Sequence, residues 1–131
     1  MEFATGLRGE AAVYVDSSNT AKTMGSGDLE VFATPSMIAL MEKASTNALA
    51  DIMPEDSSSV GTMINVKHIA ATPIGMKVTA KAELIEVDGK RLVFSVEAFD
   101  EKDKIGEGRH ERFVINKEKF MTKTDGKNIK K

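Results

Sequence analysis

Residues 34–53 read TPSMIALMEKASTNALADIM, and the spacing of their apolar side chains decides which folds are open to the chain. At 100° per residue, Met37, Met41, Ala44, Ala48 and Ile52 fall on one face, with Ile38 and Leu49 beside it. That is the stripe an amphipathic helix buries. Thr34 is placed to cap this helix, and Pro35 suits its first position, where a missing N–H costs nothing. Pro54 ends it. Lys43, Ala39 and Ala50 lie opposite the stripe, and the alanines predict that the back of the helix is covered as well. Glu42 is the odd member, falling at the edge of the apolar arc near Ile38 and Leu49 rather than on the Lys43 side.

On either side of the helix the period changes from 3.6 to 2. Residues 9–16, GEAAVYVD, predict a first strand, and the Ser/Thr/Gly-rich residues 17–28 a loop. A loop of about 12 residues in a small domain is often functional. Beyond the PEDSSS linker the chain reads as strand throughout. The predicted strands cover residues 59–69, 76–87, 91–100 and 104–116. Val78, Ala80, Ala82 and Leu84 alternate onto one face, as do Leu92, Phe94, Val96 and Ala98. Asp88-Gly89 marks a tight hairpin between them. From Lys117 onward six lysines face two acids, and this segment is predicted to be a polar, frayed tail. One helix against one antiparallel sheet is an α+β solution. A helix that is apolar on more than one side predicts one long central helix wrapped by a curved sheet of about five strands, the hotdog arrangement, which usually pairs into dimers. The expected organisation is a single domain over residues 1–120 followed by a polar basic tail over 121–131.

Composition narrows the function. The length of 131 residues suits one domain with a real core. A net charge of -2 favours neither nucleic acid nor an anionic membrane as a partner. Aromatic content of 5% without tryptophan argues against a base-stacking surface. The absence of cysteine removes disulfides, thiolate metal sites and a cysteine nucleophile, and two histidines are too few for an ordinary transition-metal site. There is no phosphate-binding glycine loop. The N-terminus lacks the pattern of a secretory signal, and no apolar run approaches the roughly 20 residues of a membrane span. The expectation is a cytoplasmic protein without metal or cofactor.

The candidate chemistry begins at His68, in residues 65–76, NVKHIAATPIGM. Ile64, Val66 and His68 share a strand face, so the imidazole follows two apolar residues toward the core at a strand end. A structural, hydrogen-bonded histidine fits that place. So does a general base, since imidazole titrates near neutrality. Glu42 by itself reads first as a half-exposed surface glutamate, and Thr34 first as a cap. A hydroxyl at the start of a helix, where N–H groups are free and the dipole is positive, next to a histidine and a carboxylate, also suits acyl transfer. Only the fold can bring the three together.

Three segments carry a resemblance: VFATPSMIALMEKAS, GTMINVKHIAATPIGMKVTAKAEL and IGEGRHERFVINKEKF. Over residues 31–120 the chain resembles the fluoroacetyl-CoA thioesterase family, hotdog-fold hydrolases. The resemblance implies that Thr34, Glu42 and His68 correspond to the family's catalytic residues, Gly61 to a glycine lying against the thioester, and Arg112 to an arginine of the last strand. It implies hydrolysis of a short acyl-CoA, with CoA entering only as part of the substrate. His68 then acts on water or on the leaving thiolate, Glu42 polarises the water or attacks the carbonyl, and Thr34 hydrogen-bonds the reacting groups. Arg109, His110, Arg112 and the tail lysines either meet the CoA phosphates or form a solvated rim, with His110 read as structural. The family carries an aromatic lid before the helix. Here residues 16–30, DSSNTAKTMGSGDLE, hold no aromatic, with Met24 and Leu29 the only large apolar side chains. A broader or different short-acyl preference is therefore expected. Two other readings remain open: a non-catalytic hotdog module that binds acyl-CoA, and a hotdog dehydratase for hydroxyacyl thioesters.

Overall fold

The computed structural model describes residues 3–128. The ends of both predicted regions, residues 1–2 and 129–131, lie outside the described residues. Five strands form one antiparallel sheet: β1 (Arg8–Tyr14), β2 (Ser57–His68), β3 (Lys77–Asp88), β4 (Arg91–Phe99) and β5 (Lys104–Asn116). The sheet is curled, and its spatial order is β1-β3-β4-β5-β2. Strands β3, β4 and β5 are joined in sequence as neighbours, whereas β2 lies at the far edge, paired with β5.

The register explains which side chains meet. Leu84 pairs with Phe94, Phe94 with His110, and His110 with Ile64. Opposed residues share a face, so one side of the sheet is lined in turn by the buried Val78, Ala80, Ala82 and Leu84, then by Leu92, Phe94, Val96 and Ala98. Both alternating sets agree with the sequence reading. Against this face packs α2 (Thr34–Leu49), burying Met37, Leu40, Met41, Ala44, Ser45, Ala48 and Leu49. The helix backbone comes very close to β1. A Cβ built on Gly9 would lie 2.2 Å from the Ala44 carbonyl oxygen and 2.4 Å from the Ala48 nitrogen. A glycine is required there for space.

Several local expectations are corrected. Helix α2 ends at Leu49 instead of running to Met53. The chain leaves through hydrogen bonds from Ile52 and Met53 N–H to the Leu49 carbonyl, because a residue preceding Pro54 avoids helical backbone. Ala39 and Ala50, on the back of α2, are exposed within the chain. Residues 17–28 are not wholly irregular. Thr20 caps a one-turn helix, α1 (Ala21–Met24), which Gly25 closes at φ 75°. The segment after β5 is α3 (Lys117–Asp125), capped by the Asn116 side chain accepting from Lys119 N–H. An N-cap asparagine outweighed the lysine-rich composition that predicted fraying.

Candidate active site

The connection after β2 places His68. Phe32 N–H donates to the Thr72 carbonyl at 2.9 Å, and Val31 forms a bridge with Pro73. Gly75, at φ 102°, turns the chain so that its N–H reaches the Val15 carbonyl at 2.9 Å. These contacts fasten the segment following His68 to the segment preceding α2. His68 and the start of the helix are thereby held side by side, and Thr34 Oγ1 lies 2.7 Å from His68 Nδ1.

Thr34 is therefore not the helix cap. It is the first helical residue. The N-cap position belongs to Ala33, whose side chain makes no capping bond. The threonine hydroxyl is turned to the imidazole. Among the described residues His68 Nε2, which is buried, has no hydrogen-bond partner. Burial pushes the His68 pKa below its usual value, and the nearby Ala70 carbonyl opposes that shift. The ring is thus biased toward the neutral form, with one nitrogen engaged by Thr34.

Glu42 belongs to a second group, some two helical turns further along α2. Its Oε2 lies 3.8 Å from Arg112 Nη1, an ion-pair distance too long for a hydrogen bond. Its side chain is 41% exposed, whereas that of Arg112 is 8% exposed. A Cβ on Gly61 would come within 2.8 Å of Glu42 Oε2, 3.2 Å of His110 Cε1 and 3.4 Å of Arg112 Nη1. Gly61 thus leaves room for the carboxylate. A β-bulge between Gly61 and Met63 allows this. Thr62 is the additional residue, so Gly61 and Ile64 face the same side although three positions apart. A cavity of about 230 Å³ opens here, lined by Ile38, Glu42, Gly61, Met63, Ile64 and His110, among others.

Arg112 points inward and is not part of a solvated rim. Its Nε donates to Ser59 Oγ at 2.8 Å, Nη2 to the Ser59 carbonyl at 2.9 Å, and Nη1 lies 3.1 Å from His110 Nε2. Burial lowers its pKa while Glu42 opposes the shift, and a guanidinium remains a cation throughout. Arg109 lies opposite Asn65 and Ser95, one residue out of phase with the buried face. His110 and Ser59 were not legible as site residues. The available signal was the alternation Gly106, Gly108, His110, Arg112, which sends both polar side chains of the last strand to one face. Among the described residues no group of three or more His, Cys, Asp or Glu side chains is arranged to hold a metal ion, and no helix is long and apolar enough to cross a membrane.

A curled antiparallel sheet packed against a helix is the hotdog arrangement, and the solved structures that share it include thioesterases. Residues 15–118 match the model of the fluoroacetyl-CoA-specific thioesterase family. The chain belongs to that family and is an acyl-CoA thioesterase. It is 51% identical to the fluoroacetyl-CoA thioesterase of Streptantibioticus cattleyicolor over 94 residues, 72% of this chain and 68% of that one. The crystal structure of the fluoroacetyl-CoA thioesterase FlK superposes with a TM-score of 0.89 at 40% identity, covering 97% of this chain and 98% of that one. A threonine-to-serine variant of FlK has been solved with acetyl-CoA. A hot-dog-like protein from Thermanaerovibrio acidaminovorans matches at TM-score 0.89 and 25% identity, over 98% of this chain and 96% of that one.

Proposed function

We propose that this chain hydrolyses short-chain acyl-CoA thioesters through Thr34, Glu42 and His68, with the reacting site completed between two copies of the chain. The observation that carries the reading is the Thr34–His68 pair, an imidazole biased to its neutral form with Nε2 left unpartnered. Glu42 addresses the attacking water, since its carboxylate is not hydrogen-bonded to Arg112. Water adds to the thioester carbonyl and the C–S bond breaks. Neutral His68 takes the proton of the water that Glu42 orients and returns it to the CoA sulfur as the C–S bond breaks. Thr34 hydrogen-bonds the reacting groups, and first-turn N–H groups of α2 receive the oxyanion. Gly61 and Arg112 face the substrate and the carboxylate. Water is the nucleophile, so no cofactor enters.

Distance supports the two-chain arrangement. Eight helical residues separate Thr34 from Glu42 by about 12 Å along the axis. The span of β2 from Gly61 to His68 is roughly 20 Å. Within one chain the carboxylate and the imidazole do not converge on one carbonyl carbon. A homodimer that sets Glu42 of one chain against Thr34 and His68 of its partner removes the difficulty. In that assembly α2 becomes the central helix of a fully wrapped hotdog. The acyl group is a short one, for which the support is the small cavity beside Glu42 and the acetyl-CoA seen in a relative. The large apolar side chains of residues 16–30 are Met24 and Leu29, both exposed, and the acyl preference is broader than fluoroacetyl or different from it. A cytoplasmic location is part of the proposal, on the ground of the cysteine-free composition.

The test is thiol release from a panel of short acyl-CoAs by wild type, Glu42→Gln, His68→Ala, and a refolded mixture of the two variants. Each variant alone should be nearly inactive. The mixture should recover about a quarter of wild-type activity, because half of its dimers would be mixed, each with one intact site of two. No recovery from folded, mixed dimers would place the site within one chain and overturn the shared arrangement. Acyl-CoA binding without thiol release by wild type would overturn catalysis.

A further inference from the structure

Beside Arg112, the buried His110 takes no part in the reaction proposed above. His110 is 1% exposed and sits deep in the sheet beside Phe94, ring centroids 6.3 Å apart. A histidine is rarely buried this deeply without specific partners, and this one has two. Nδ1 lies 2.8 Å from the Met63 carbonyl, and Nε2 lies 3.1 Å from Arg112 Nη1.

These partners assign the ring's protons. A carbonyl oxygen only accepts, so Nδ1 carries hydrogen and donates to Met63. A guanidinium only donates, so Nε2 carries a lone pair and accepts from Arg112. The imidazole is neutral. Burial, the largest influence, holds its pKa below the usual value, and the Arg112 charge acts in the same direction, against the Met63 carbonyl and Glu42. The Met63 carbonyl is available because Met63 borders the bulge in β2.

The same partners immobilise the guanidinium. Nε and Nη2 are held by Ser59. Nη1 has two hydrogens. One is taken by His110 Nε2, and the other side of Nη1 faces Glu42 Oε2 at 3.8 Å. Without the acceptor at His110, the planar guanidinium can tilt about its two Ser59 bonds and bring Nη1 from 3.8 Å to hydrogen-bond distance of the carboxylate. Glu42 would then give up a lone pair that the attacking water needs. Conversely, a protonated His110 would set a second positive charge against the guanidinium.

We propose that His110 is a positioning residue: by accepting from Arg112 Nη1 it holds the guanidinium at ion-pair distance from Glu42 and keeps the carboxylate available to water. The inference rests on the reading of Glu42 given above. It concerns kcat, since His110 acts through Arg112 on Glu42.

Three substitutions separate the acceptor from the packing. His110→Gln reaches far enough to offer an oxygen to Arg112. His110→Asn keeps a donor for Met63 but ends short of Arg112. His110→Phe fills the space with neither. Thiol release from a short acyl-CoA should show kcat within about threefold of wild type for Gln. For Asn and Phe it should fall about 10- to 30-fold, with KM changed less than twofold. In an Arg112→Lys background the His110→Asn change should add less than twofold, because the group it positions is gone. Equal kcat in folded Gln and Asn variants, or full additivity with Arg112→Lys, would overturn the proposal. Should Phe fail to fold, the Gln and Asn pair still decides. Wild type and Glu42→Gln run alongside: an active Glu42→Gln enzyme refutes the role of Glu42 itself, whereas an inactive one with additive His110 effects refutes only the positioning role.

Discussion

Thr34 illustrates how one residue is read differently by sequence and by structure. A threonine before Pro35 has the pattern of a helix cap, and its replacement by alanine would then cost about 1 kcal/mol. In the fold Ala33 holds the cap position and the Thr34 hydroxyl is committed to His68. Thr34→Ala should therefore lower kcat and cost about 1 kcal/mol through the lost bond to His68 instead of a lost cap, and parallel melts and rate measurements would check both. Glu42→Gln should keep the fold and lower turnover on the order of 100-fold or more; near-normal turnover would remove Glu42 from the mechanism. Gly61→Ala should reduce activity without unfolding, since the new methyl displaces the end of a flexible carboxylate side chain and not backbone. Both histidines have folded-state pKa values below the ordinary 6.5 because of burial. As pH falls, the unfolded chain takes up their protons first. The stability they contribute is complete above about pH 6.5 and is lost as pH drops through the folded values. Thermal melts from pH 8 to 5 should be flat at the upper end and fall below about 6.5, less steeply in His110→Gln.

Among the elements, α2 and β2 do the positioning. Helix α2 was evident from its apolar stripe, including the anomalous place of Glu42. Its contact with β1 through Gly9 was not, because a glycine in a strand gives no sign of what crosses it. Gly9→Val should force the helix off the sheet and cost about 1–3 kcal/mol, measurable as a lower denaturant midpoint with an unchanged slope. Strand β2 was placed correctly, and Ile64, Val66 and His68 do share a face. The bulge at Thr62 was invisible, since a two-residue period gives no warning of an extra residue. That one insertion turns Gly61 toward Glu42 and Ser59 toward Arg112. Helix α3 was misread because six lysines outweighed a single capping asparagine in the prediction.

At the scale of the whole molecule the open feature is the β2 edge. It is a 12-residue strand with Met63 36% and Ile64 38% exposed, and long apolar edges are usually paired or covered. A dimer formed through this edge would also bring a second copy to the cavity beside Glu42. Sedimentation should find twice the mass of one chain for wild type. Replacing Met63 and Ile64 together by lysine should shift it toward the single-chain mass and abolish thiol release in the same step. Single-chain mass for an active wild type would refute the shared site.

Residue order by itself determined the α+β class, the buried face of α2, the facing of β3 and β4, and the choice of Thr34, Glu42 and His68 as candidates. These follow from local periodicity and from ordered segments that resemble one family, both of which are carried along the chain. Tertiary structure alone decided that Thr34 serves His68 instead of the helix, that Arg112 is buried and braced by Ser59 and His110, and that Glu42 lies beside Gly61 and Arg112. Apart from the Arg112–His110 contact, those outcomes depend on contacts between residues far apart in sequence, 34 positions for Thr34 and His68 and 53 for Ser59 and Arg112, on the register of β2 against β5, and on one bulge. Such contacts are set by how elements dock, a quantity that no local pattern encodes.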